Sequence, residues 1–258
     1  MIVQIYEIQT PDEAETCIEL GVDHLGSVLL SRDAWRDPAI KNVMDLTNGT
    51  EAKNTLIPLF LDPDTLFSAL DYYRPHFVHF CESLTSRNGR TLDLGPFVDI
   101  QARVRSRFPE TGIMRSIPVP RNGSAARFPT LNIARILAPY TDLFLTDTWM
   151  GEEPVEGYIG ITGKTADWDL ARDLVRQSQI PVILAGGLSP ENVSEAVKRV
   201  RPAGADSCTQ TNAFDAHGKP LRFRKDFKKV KKFIQHVRET AGCLQASGGT
   251  AGGCPEKR

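Results

Sequence analysis

Net charge of either sign is missing from this chain: 31 Lys and Arg face 32 Asp and Glu among 258 residues, leaving −1. The chain therefore lacks the basic face with which a dedicated nucleic-acid binder displaces counterions, and no nucleic-acid partner is expected. Long apolar runs are missing as well. A membrane span needs about 18 or more consecutive apolar residues; no such stretch occurs, and no membrane partner is expected. Cysteine is sparse: Cys17, Cys81, Cys208, Cys243 and Cys254 are five, widely spaced, with no Cys-x-x-Cys and no paired Cys/His spacing. That argues against a disulfide scaffold and a zinc site, and neither metal nor cofactor is expected. Residues Met1 to Tyr6 do not form a basic stretch leading into an apolar segment and a cleavage site, so the simplest address is the cytoplasm. Glycine is absent from Tyr6-Glu7-Ile8-Gln9-Thr10, the turn after the first strand candidate, which removes the dinucleotide-binding turn of an open doubly wound sheet.

What is present is alternation. Short apolar runs rich in β-branched residues alternate with segments of helical period, as βα units do. Strands are expected at Ile2 to Tyr6, His24 to Leu29, Thr55 to Leu61, Phe77 to Cys81, Gly112 to Pro118, Leu143 to Asp147, Pro181 to Ala185 and Ala205 to Thr209. Thr10-Pro11-Asp12-Glu13 opens a helix running to Leu20, with a capping threonine and proline at the first helical position. Ser189-Pro190-Glu191 predicts a similar start for a helix to Val200, and a further helix is expected over Phe97 to Phe108. Ser83 to Pro96 reads as an enlarged loop, and Gly242 onward, rich in Gly, Ser and Ala, as a disordered tail. Eight strands in a chain of this length predict a single (β/α)8 barrel over 1–241 with a tail at 242–258, its active residues at the C-terminal ends of the strands.

Three strand-end segments carry chemistry. Pro181 to Ala185 runs into Gly186-Gly187 and then a capped helix, an arrangement that lets backbone N–H groups approach a phosphate, or that needs glycine only for its turn. Gly157 to Trp168, with Gly163 and Lys164, suits a loop closing over substrate or a solvated loop; it is not a Walker motif, because Tyr158 stands where the first glycine belongs. Asp147 ends the sixth strand on its inward face. A carboxylic acid there is either a desolvated general acid or a loop-anchoring cap.

The order of these motifs resembles that of the phosphoribosylanthranilate isomerase family. The resemblance covers residues 1 to 240 and rests on Asp147-Thr148, Gly160 to Trp168, Pro181 to Val193, Arg201 to Asp206 and the closing helix from Lys225-Asp226 through Phe233-Ile234 to Arg238. It implies a small phosphorylated substrate, an aldose–ketose isomerisation of a phosphoribosyl amine, and Asp147 as general acid. It also reads the basic run Arg222 to Lys232 as the solvated face of that helix.

The departures are concentrated at other strand ends. Where the family has Lys-x-Cys-Gly, with the cysteine as base, this chain has Gln4-Ile5-Tyr6-Glu7. A phenol of reference pKa near 10 is a poor base at neutral pH. Candidates for a relocated base are Cys81, His79 and Glu7, with Cys81 preferred if its thiolate is stabilised. The family arginine that holds the anthranilate carboxylate falls at Trp35, with Arg36 displaced by one position, and Cys208-Thr209-Gln210 replaces the Ser-Ser-Gly phosphate turn. Thr209 joins Gly163, Lys164, Gly186 and Gly187 as phosphate-side candidates. A diverged barrel acting on another phosphorylated metabolite, or a catalytically silent binder, remain as alternatives.

Overall fold

The computed structural model describes residues 1–121 and 128–249. Eight parallel strands close into a barrel in chain order: β1 (Ile2–Tyr6), β2 (His24–Leu29), β3 (Lys53–Pro58), β4 (Phe77–Phe80), β5 (Gly112–Pro120), β6 (Leu143–Trp149), β7 (Val182–Leu184) and β8 (Gly204–Ser207). The circle is completed by β1 pairing with β8, where Gln4 stands opposite Asp206. Helices α1 (Pro11–Glu19), α2 (Pro38–Thr47), α3 (Pro63–Tyr73), α4 (Gly95–Arg107), α5 (Thr130–Leu137), α6 (Trp168–Gln177), α7 (Val193–Val200) and α8 (Phe227–Gly249) alternate with them.

Period-two alternation divides each strand between two cores. Val3, Ile5 and Leu25 face outward and pack with Ala14 and Cys17 of α1, Val197 of α7 and Phe233 of α8. Tyr6, Val28, Ile57, Cys81, Met114, Leu145 and Ile183 face inward and fill the barrel. Tyr6 has room because residue 26 is glycine: a Cβ there would lie 1.9 Å from Tyr6 Cδ1. The cap of α1 forms as its sequence predicts, Thr10 Oγ1 accepting from Glu13 N at 3.4 Å.

Three expectations need correction. Helix α7 starts at Val193; Ser189 and Pro190 belong to the preceding turn, where Ser189 Oγ accepts from Glu191 N at 3.1 Å. Gly242 does not start a tail, because α8 continues to Gly249 and Leu244 packs against the outer core. The remainder of the expected tail, 250–258, lies outside the described residues. The basic run is split: Arg222, Arg224 and Lys225 belong to β10 (Pro220–Lys225), which pairs antiparallel with β9 (Asn212–Phe214). This hairpin between β8 and α8 has no counterpart in the expected alternation. Among the described residues no helix is long and apolar enough to cross a membrane.

Candidate functional site

A cavity opens at the C-terminal ends of the strands, walled by Tyr6, His79, Cys81, Asp147, Asp206 and Arg222 among others. Strand β6 delivers Asp147. Burial pushes its carboxyl up to about 7, although it accepts from Thr148 N at 2.9 Å, and the nearby Glu153 charge adds to the rise. Gly160, at φ +116°, passes so close that a Cβ there would lie 2.5 Å from Asp147 Oδ2.

Strand β8 delivers a second carboxyl. Asp206 is 5% exposed, and burial raises it to about 8, opposed by a 3.1 Å hydrogen bond from Gln4 Nε2 and assisted by the charge of Asp147. The two acids therefore sense each other, and between pH 7 and 8 the pair holds about one proton. One member can give a proton while the other takes one. Asp206 was not among the sequence candidates; period-two alternation with Gly204 along β8 is the signal that could have found it.

The first strand places Tyr6 in the wall beneath this pair, with its hydroxyl 2.5 Å from His79 Nδ1 and 3.4 Å from Met114 Sδ. His79 Nε2 lies 2.9 Å from Ser116 Oγ. Burial, with help from the Arg115 charge, lowers His79 to about 3, so the imidazole is neutral. A neutral ring that donates to Ser116 accepts the phenol proton at Nδ1. Burial raises the Tyr6 phenol well above its ordinary value, and Asp206 adds to the rise. Burial also raises the Cys81 thiol, and the charges of Glu82 and Asp147 push it further. At neutral pH these three groups are a phenol, an imidazole and a thiol, all uncharged.

Glycine shapes the opposite wall. Gly186 and Gly187 sit at φ +93° and +63°, and a Cβ on Gly187 would lie 2.5 Å from the carbonyl carbon of Lys164. The loop 157–167 is held there by Thr148 Oγ1 donating to Lys164 O at 2.7 Å and Gln210 Nε2 donating to Gly163 O at 3.0 Å. Asp167 ends it by capping α6, accepting from Asp169 N at 2.9 Å. Gly163, Gly186, Gly187 and Thr209 all line the cavity. Two sequence candidates are not brought to it. The Lys164 side chain is exposed while its backbone faces Gly187, and Arg36 is exposed on the loop after β2, its guanidinium 4.7 Å from the Trp35 ring and 5.8 Å from that of Tyr72.

Glu7 takes a left-handed conformation, φ +63°, although it is 2% exposed and follows Tyr6 directly. Its carboxylate accepts from Arg222 Nε at 2.7 Å, Asn212 Nδ2 at 3.1 Å and Phe223 N at 3.3 Å. Burial alone would raise it, but the charge and hydrogen bond of Arg222, with Lys225 and Asn212, hold it below its usual value. No local sequence signal connects residue 7 with residue 222. Among the described residues no cluster of three or more His, Cys, Asp or Glu could hold a metal ion.

A model of the family described as N-(5′-phosphoribosyl)anthranilate (PRA) isomerase matches residues 124–236. The N-(5′-phosphoribosyl)anthranilate isomerase of Methanocella arvoryzae is 31% identical over 240 residues, covering 92% of this chain and 98% of that protein. The protein of the same name from Methanosarcina acetivorans is 28% identical over 256 residues, 94% of this chain and 95% of its own length. Among solved structures, the phosphoribosyl anthranilate isomerase of Thermotoga maritima matches in fold with a TM-score of 0.66 at 20% identity, over 93% of this chain and 100% of that one. A phosphoribosyl anthranilate isomerase in complex with reduced 1-(o-carboxyphenylamino)-1-deoxyribulose 5-phosphate matches with a TM-score of 0.64 at 18% identity, over the same 93% and 100%.

Proposed function

The chain belongs to the N-(5′-phosphoribosyl)anthranilate isomerase family, and from that premise we propose that it isomerises a phosphoribosyl amine from aldose to ketose form, with Asp147 and Asp206 as its acid–base pair. The carrying observation is that both carboxyls sit in one cavity with pKa values raised to about 7 and about 8. The chemistry requires four proton transfers, two given and two taken. Asp147 protonates the sugar ring oxygen as its bond to C1 breaks and the nitrogen lone pair forms a C1–N double bond. The reactive form is the minority one that carries the pair's proton on Asp147, since Asp206 is the weaker acid; in that form ionised Asp206 removes the proton from C2, those electrons form the C1–C2 double bond and the C1–N pair returns to nitrogen. The resulting enol becomes the C2 ketone when Asp206 returns its proton to C1 and the ionised Asp147 takes the proton of the C2 hydroxyl, which restores both acids to their starting states.

Cys81, His79 and Glu7 are the other candidates for the base. All three line the cavity, but the thiol is held protonated by burial, His79 is already engaged by Tyr6 and Ser116, and the Glu7 carboxylate by Arg222, Asn212 and Phe223. The geometry favours Asp206. The glycine wall of Gly163, Gly186 and Gly187, with the Thr209 hydroxyl, is assigned to the phosphate.

The test is turnover of phosphoribosylanthranilate. Asp147→Asn and Asp206→Asn should each lower kcat by about 10²- to 10⁴-fold, the usual contribution of a positioned acid or base, and kcat should peak near neutral pH. Full activity in either variant overturns its assigned role. A second reading is favoured by Tyr6, whose ring occupies the floor of the site: binding of a phosphosugar without turnover of phosphoribosylanthranilate would identify a barrel acting on a different phosphorylated metabolite.

A further inference from the structure

We propose that Arg222, presented by the hairpin, is the receptor for the carboxylate carried by the amine portion of the substrate. The inference rests on the isomerase reading and adds a specificity determinant to it. Among the described residues, Arg222 is the only Lys or Arg lining the cavity. Its side chain is 37% exposed; Nε is committed to Glu7, and among the described residues neither Nη nitrogen has a hydrogen-bond partner. A guanidinium gripped at one edge and open at the other offers the planar fork that fits a carboxylate.

The mounting is rigid. Glu7 is a buried carboxylate that fixes Nε, while the guanidinium carbon lies 4.6 Å from the Phe223 ring. Phe223 is itself left-handed, φ +60°, and donates its N–H to Glu7 at 3.3 Å. Two left-handed non-glycine residues thus meet at one contact, each an unfavourable conformation that persists only where its surroundings enforce it. Behind them Lys225 anchors β10, its Nζ donating to Asn212 Oδ1 at 2.5 Å and to Cys208 O at 3.1 Å. The hairpin is fastened at Phe223 and Lys225, directly after Arg222, so little freedom is left to lose on binding. Arg36, the nearest match to the family's carboxylate-holding arginine, stands outside the cavity on Trp35 and Tyr72. The glycine wall offers N–H groups to the phosphate and leaves the substrate's second anion to Arg222.

Calorimetric binding of two inert analogues tests this: the reduced carboxyphenylamino deoxyribulose phosphate and its counterpart with hydrogen in place of the carboxylate. The native protein should prefer the carboxylate-bearing analogue by about ten- to hundredfold, the usual range for one charge-assisted pair. Arg222→Gln should abolish that preference. Arg222→Lys, which keeps a positive charge beside Glu7 but not the fork, should retain part of it, while both variants bind the anilino analogue as the native protein does. Equal native affinities for the two analogues, or an unchanged preference in Arg222→Gln, overturn the inference and leave the isomerase reading standing. Equal weakening of both analogues in the variants overturns it as well, by placing Arg222 on the phosphate. Native protein that binds neither analogue overturns both readings.

Discussion

The two halves of the barrel mouth are built by different means. On the β6–β7 side, neighbours in sequence hold one another: Thr148 reaches Lys164, Asp167 caps its own helix, and Thr146 Oγ1 donates to Ala185 O at 3.1 Å while accepting from Ala185 N at 2.9 Å. On the β8–β1 side the contacts join opposite ends of the chain, Gln4 to Asp206 and Glu7 to Asn212 and Arg222. The first half depends on glycine, where backbone passes backbone; the second depends on buried charge and a filled interior. A substitution should therefore act sterically in one half and electrostatically in the other.

The sharpest way to break this contrast is at Gly187. Valine there would combine a β-branched side chain, φ +63° and a Cβ 2.5 Å from the Lys164 carbonyl carbon. The expected result is displacement of the loop and phosphosugar binding weakened by about a hundredfold, the upper end of such strain at 1–3 kcal/mol. Binding retained at the native level would mean that the glycine wall does not serve the phosphate.

A smaller effect separates the filled interior from the glycine wall. Gly26→Ala puts a methyl into the Tyr6 ring and should destabilise the protein by about 1–3 kcal/mol, a Tm drop of about 2–4 °C for each kcal/mol. In a Tyr6→Ala background the same change should be nearly neutral. Equal costs in both backgrounds, measured by thermal unfolding, would show that the ring does not dictate residue 26.

The smallest expected effect is an acid response confined to the β8–β1 side. The Glu7 carboxyl is held below its ordinary value when folded, so its contribution is present above the unfolded pKa of about 4.3 and fades as pH falls through the lower folded value. Hydrogen exchange at Phe223 N–H should therefore accelerate below about pH 4 relative to the Ala185 N–H, whose acceptor Thr146 Oγ1 does not titrate. A uniform response of both amides would remove the electrostatic distinction between the halves.

Much of the first half was legible in the sequence, for a physical reason. Asp147 could be placed inward by alternation along β6, and Gly186-Gly187 by the strand that precedes them, because both signals lie within a few residues of the feature. The barrel itself was legible likewise, since each βα unit carries its own period; β1 and β2 match their expected ranges. The second half was not. Tyr6 looked like a missing base, whereas its partners His79, Met114 and Gly26 come from three other strands. Arg222 looked like the start of a helix because Lys and Arg continue into α8, and nothing local marks the register shift between Pro220 and Lys225 in the hairpin. The end of α8 was misjudged through composition: Gly242 weakens a helix by about 1 kcal/mol, yet Leu244 beyond it packs on the core.

The bond between Glu7 and Arg222 also has a consequence in time. The ribosome delivers residue 7 first and residue 222 more than two hundred residues later, so through nearly all of synthesis the acid has no partner and must stay in water. A nascent chain that has emerged only as far as β8 already holds Asp147 and Asp206, but not the strap across the mouth. A left-handed position of the finished barrel is thus among the last to be satisfied, and premature closure around an unpaired Glu7 is disfavoured by the cost of burying its charge.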